Sequence, residues 1–223
     1  TLGLDEADLR CGSHMPRDPA EHRRLTCSGE SPCQIYNNCS GKHAGFLTLN
    51  RHLGGGAEYI DPDHPVQQAV KAAFEEMTGE VSPGFGIDGC SAPNHACSLV
   101  GLANAMVAFA RPGGDRRGQA MRRLTLAMRD HPELVAGEGR ACTALMRAMD
   151  GRVAVKTGAE GVFVAILPDH GLGIALKITD GATRAAEAAI TALLVHLGAL
   201  PEADPVVERY LTAPIRNWRG MVT

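Results

Sequence analysis

The sequence predicts an α/β chain of the α+β kind, a single domain over 1–223 with a loop-rich and helical part at 1–150 and antiparallel strands plus a covering C-terminal helix at 151–223. Three observations carry this. Apolar residues recur at helical spacing between 63 and 149, three short Val- and Ile-rich runs follow at 152–156, 162–167 and 172–178, and 182–197 again keeps a helical period.

Taken in order, residues 1–50 read as irregular, with Pro16, Pro19 and Pro32 and a concentration of Cys, His and Gly. A helix is expected from Asp63, because Pro65 suits a first turn, Val66, Val70, Ala73, Phe74 and Met77 share a face, and Gly79 can close it. After a glycine-rich turn at 84–90, a second helix is expected from Asn94 or His95 to Ala110, stopped by Pro112-Gly113-Gly114. Two more are expected near 115–129 and 140–149. The turn Pro168-Asp-His-Gly171 should pair the second and third strands antiparallel. Thr179 or Asp180 is the expected cap of the last helix, with Ala186, Ala189, Ile190, Leu193 and Leu197 on its buried face. A sheet of three strands, apolar on both faces, calls for further strands, and these are expected before Thr1.

Bulk composition narrows the functional classes. Hydrophobic residues make up 44% and charged residues 21%, the usage of a globular chain that buries a core. A net charge of −3 gives no footprint for nucleic acid. No apolar run approaches the roughly 20 residues needed to cross a bilayer. Seven cysteines, an odd number with no visible secretion signal, fit a reducing cytosol, so a cytoplasmic location is expected. Those cysteines should be core residues, free thiols or metal ligands.

Two constellations could carry chemistry. In Cys39-Ser-Gly-Lys42-His43 and Asp88-Gly-Cys90, two thiols and an amine sit in glycine-bounded loops and could converge on zinc. On pattern alone, cysteines packing as small hydrophobes remain the commoner explanation. Lys156-Thr-Gly158 ends a strand, as does the Lys-Thr-Gly edge of penicillin-recognising serine hydrolases. Its usual companion, Ser-x-x-Lys, does not occur in the sequence. A solvent-facing lysine at a strand end is the bland alternative. Of the histidines, only His43 lies inside an unusual loop.

Six stretches together resemble the rhizobial-type L-asparaginase family. They are Cys11-Gly-Ser-His-Met-Pro16, Asn37-Asn-Cys-Ser-Gly-Lys-His-Ala-Gly45, Asp61-Pro-Asp-His-Pro65, Gly86-Ile-Asp-Gly-Cys-Ser-Ala-Pro93, His131-Pro-Glu-Leu-Val-Ala-Gly137 and Lys156-Thr-Gly-Ala-Glu-Gly161. The resemblance implies a fold similar to serine β-lactamases and penicillin-binding proteins. It implies zinc held by Cys39, Lys42 and Cys90 with water, Lys156 paired with a catalytic serine, and His43 and Asp88 beside the metal or substrate. It also implies a homodimer that hydrolyses L-asparagine to L-aspartate and ammonia through a serine acyl-enzyme. The family's Ser-x-x-Lys nucleophile and its second serine segment would lie upstream of Thr1, so little or no turnover is expected of these 223 residues alone. A non-catalytic zinc- and metabolite-binding relative is the alternative. A penicillin-recognising hydrolase ranks third.

Overall fold

The computed structural model describes residues 2–223, which form two compact units, the first ending at Cys97 and the second spanning Ser98–Thr223. The first unit opens with a single turn, Glu6–Asp8, closed by a reciprocal capping box between Asp5 and Asp8. Helix α1 (Pro19–Ser28) starts with the Asp18 carboxylate accepting from the Glu21 N–H and ends on left-handed Gly29. After a turn at Gln34–Tyr36 come α2 (Ser40–Leu53) and α3 (Pro65–Thr78). A two-stranded antiparallel hairpin, β1 (Phe85–Ile87) with β2 (Pro93–His95), completes the unit. Leu9, Cys11, Phe46, Leu47, Tyr59, Val66, Cys90 and Ala92 make its core.

Two expectations for this region need correcting. Residues 1–50 contain α1 and α2 rather than irregular chain. Helix α1 buries only Leu25, so its sequence carries no apolar period. Helix α2 buries His43, Phe46, Leu47 and Asn50, and two polar members of that stripe hide its periodicity. The helix expected from Asn94 or His95 instead begins at Leu99. The Ser98 hydroxyl accepts from the Gly101 N–H at 2.9 Å and sets that start, while residues 93–95 form β2.

The second unit is a three-stranded sheet between helices. Strands β3 (Ala154–Thr157), β4 (Val162–Leu167) and β5 (Leu172–Lys177) lie in the order β3-β4-β5, all antiparallel, with Leu167 opposite Leu172 at the expected turn. Alternation splits the side chains. Val155, Phe163, Ala165 and Leu167 join Leu145 and Met146 of α7 (Ala141–Ala148) and Ile190 and Leu194 of α8 (Thr183–His196). Ala154 and Ile166 face the other way, with Ala110 and Met106 of α4 (Leu99–Ala110) and Met128 of α5 (Arg116–Asp130). Gly173 lets α4 approach the sheet, since a Cβ there would stand 2.4 Å from the Val107 nitrogen.

Short α6 (Pro132–Ala136) joins α5 to α7, and α9 (Pro205–Val207) runs into a wide turn at Glu208–Thr212. Helix α8 departs from expectation at its start and on its face. Asp180 accepts from the Ala182 N–H at 2.9 Å and shapes the preceding turn, leaving α8 without a side-chain cap. The buried row is Ala186, Ile190 and Leu194, while Leu193 is 37% exposed. The mixed helix-and-antiparallel-sheet class is as the sequence predicts.

Candidate metal centre and lysine edge

The sulfur cluster lies in the first unit, where the chain entering α2 meets the turn between β1 and β2. Asn37 prepares that entry. Its buried amide donates to the Cys11 and Gly12 carbonyls at 2.7 and 3.0 Å, and its Oδ1 accepts from the Cys39 N–H at 2.8 Å. His14 adds a second tie, its Nε2 accepting from the Asn38 N–H at 3.0 Å. Cys39 immediately precedes α2, and Lys42 follows three residues later, so both project from the first turn of the helix.

On the facing hairpin, the Asp88 N–H donates to the Ala92 carbonyl and the Ser91 N–H to the Asp88 carbonyl, at 2.9 and 2.8 Å. The turn holds Ser91 at φ 71°, a left-handed conformation uncommon outside glycine. This folding brings the two motifs together. Ligand atoms of Cys39, Asp88 and Cys90 lie within 4.8 Å of one another, Lys42 Nζ is 3.5 Å from Asp88 Oδ2, and the Cys90 thiol donates to the same oxygen at 3.6 Å. Two thiols, an amine and a carboxylate at this spacing suit a borderline-soft cation such as zinc.

Electrostatics set the terms of binding. Burial pushes the Cys39 thiol up to about 11, with the Lys42 charge opposing it. Burial pulls the Lys42 amine down, but Cys90, Cys39 and Asp88 outweigh it and the net direction is up. In the metal-free protein Lys42 is therefore an ammonium.

His43, on the same helix, is fully shielded from solvent in the core. Its Nδ1 lies 2.8 Å from the Tyr59 hydroxyl, and its ring meets Phe46 and Tyr59 edge-on. Burial, helped by the Lys42 charge, lowers its pKa to about 4, so the ring is neutral.

The second unit holds the lysine edge. Lys156 is exposed on β3, and its Nζ donates to the Thr157 carbonyl. Gly158 continues the ladder through its N–H to the Val162 carbonyl at 2.7 Å, while the Thr157 N–H points to the opposite edge and donates to Cys142 Sγ at 3.2 Å. Cys142 is buried under this strand end, and burial pushes its thiol up against the opposing pull of the Thr157 N–H and the Lys156 charge. Nothing in the sequence marks Cys142 or Tyr59 as support for a site, since a buried residue on a helix or loop has no distinguishing pattern. The one available signal was that 11–16 and 37–45 are both unusual, and Asn37 and His14 join them.

The L-asparaginase II family model matches residues 1–223, the whole chain. The chain belongs to the L-asparaginase II family. No curated protein matches it significantly. Membership bears out the resemblance carried by the six stretches, and with it an L-asparaginase-type amidohydrolase acting on a small-molecule substrate. Among the described residues, no helix is long and apolar enough to cross a membrane.

Proposed function

We propose that this L-asparaginase II relative serves the hydrolysis of L-asparagine to L-aspartate and ammonia, in a serine β-lactamase-like fold and as a homodimer. The observation that carries this is the whole-chain family match, with Cys39, Lys42, Asp88 and Cys90 gathered from two distant loops. In this reading a serine hydroxyl attacks the side-chain amide carbon, ammonia leaves, and water hydrolyses the resulting ester. The serine is the one the resemblance assigns upstream of Thr1. Lys156 assists the proton transfers and stabilises developing negative charge.

Zinc would be held by Cys39, Lys42 and Cys90, and when bound it supplies a fixed positive charge and Lewis acidity. The donor set supports that fit. Cys39 and Lys42 tie the start of α2 to the Cys90 turn, and Asp88, beside the Lys42 amine and the Cys90 thiol, steadies both. His43, one residue along α2 from Lys42, is assigned beside the metal or the substrate.

Ammonia release from L-asparagine by protein that includes the upstream serine segment tests the reading. Lys156→Ala in that protein should lower turnover by about 10²–10⁴-fold, the range of a general acid–base group. No ammonia from the unsubstituted protein would overturn the assignment. Zinc binding without turnover would favour a non-catalytic zinc- and metabolite-binding relative, a reading that shares the same metal centre.

A further inference from the structure

Cys39 stands at the cap position of α2, yet its side chain makes no capping bond there. Asn37 orders the start of the helix instead. Its Oδ1 accepts from the Cys39 N–H at 2.8 Å, closing an Asx-turn, and its backbone carbonyl accepts from the Ser40 N–H at 2.9 Å. The chain is thus fixed on both sides of the Cys39 thiol, which is left with no structural duty. The other half of the amide reaches a second segment, where Nδ2 donates to the Cys11 and Gly12 carbonyls at 2.7 and 3.0 Å. That segment is itself held, with Cys11 buried and the Gly12 N–H donating to Gln34 Oε1 at 3.0 Å. Two carbonyls demand the amide nitrogen and one N–H demands the oxygen, so the partners set the orientation of a side chain that is buried among them.

We propose that Asn37 is a positioning residue of the metal centre, which holds Cys39 in its ligating place by tying the start of α2 to the 11–12 segment before any metal arrives. The inference rests on the zinc reading in one respect, that Cys39 is a ligand. A donor that is already held needs less ordering when the metal binds, and affinity rises accordingly. Outer partners of this sort orient a ligand without touching the metal. No other side chain does the same here. A carboxylate at 37 could accept from the Cys39 N–H, but it would face two carbonyls with nothing to donate. A leucine of similar size would strip three buried backbone groups of this partner.

The test compares Asn37→Leu with Asn50→Leu, each in the full chain. Asn50 is a buried asparagine about three turns along α2 from Cys39, and its Nδ2 donates to the Gly56 carbonyl at 2.8 Å. Its loss weakens the same helix away from the donors. Zinc affinity is read by competition with a chelator, and the cobalt-substituted protein is read by its thiolate-to-metal charge-transfer absorption. Asn37→Leu should bind zinc about 10–100-fold more weakly and lose charge-transfer intensity. Asn50→Leu should keep the parent's affinity and spectrum, even where it melts at a lower temperature.

Parent-like affinity and spectrum in a folded Asn37→Leu overturn the proposal, and so does equal weakening in the two variants. If Asn37→Leu does not fold, hydrogen exchange in the metal-free unsubstituted protein decides. The Asn37 side-chain amide should exchange far more slowly than that of the exposed Asn94, and equal rates overturn the proposal. If the unsubstituted protein binds neither zinc nor cobalt, the zinc reading fails on its own account. The positioning role is then decided by exchange at the Cys39 N–H, which should be faster in Asn37→Leu than in Asn50→Leu, with equal rates overturning it.

Discussion

At Lys42 two demands oppose one another. A metal ligand must present a lone pair, yet Cys90, Cys39 and Asp88 hold this amine in its protonated form. Zinc held there would have to displace protons from Lys42 and from the half-buried Cys39 thiol on binding. Isolated residue types could nominate Cys39, Lys42 and Cys90 as donors, but this conflict arises only from their spacing. A simpler titration is readable at Glu187 on α8. Burial raises its pKa, with Arg140 and Arg209 opposing. The sign follows directly. A carboxyl with a raised folded-state pKa is a poorer anion in the fold than in the unfolded chain. Its penalty is absent at pH below the ordinary value of 4.5, and it grows as pH rises through the window up to the raised value. Glu187→Gln should therefore melt at a higher temperature than the parent at pH 7, and the gain should shrink as the pH is lowered through that window. A thermal melt series in pH checks this, and a gain that is constant with pH would sink the assignment.

At the scale of elements, strands and helices differed in how plainly they could be read. Strand β4 was bounded correctly at 162–167, since Val162, Phe163, Val164, Ala165, Ile166 and Leu167 form an unbroken apolar run between turns. Helix α2 escaped notice because Gly41, His43 and Gly45 interrupt its period, and its order comes from Phe46 and Leu47 packing in the core. Gly173 is a similar case. Within β5 it reads only as a weak strand residue, whereas in the fold it permits α4 to lie on the sheet. Gly173→Ala would press a methyl against the Val107 nitrogen and the Met106 backbone, where no side-chain rotation can relieve it. The variant should lose about 1–3 kcal/mol in a urea titration, the cost typical of overpacking. A midpoint unchanged from the parent would mean that α4 shifts freely away from the sheet.

At the scale of the whole molecule, a metal bound only by the folded state should stabilise it by mass action. With free zinc about 100-fold above its dissociation constant, the gain is about 2.7 kcal/mol. Zinc-loaded protein should accordingly melt higher than protein stripped by a chelator, and matching melts would count against the site. The sequence alone determined the class of fold, the antiparallel pairing of β4 with β5 and the candidate donors, because periodicity, turn chemistry and residue type are local properties. Tertiary structure alone decided that Cys39 and Cys90, 51 positions apart, share one cluster with Lys42 and Asp88. It also decided that His43 faces Tyr59 in the core, and that Cys142 sits beneath the Lys156 edge. Those facts depend on loop closure and packing between distant segments, and no spacing along the chain encodes them.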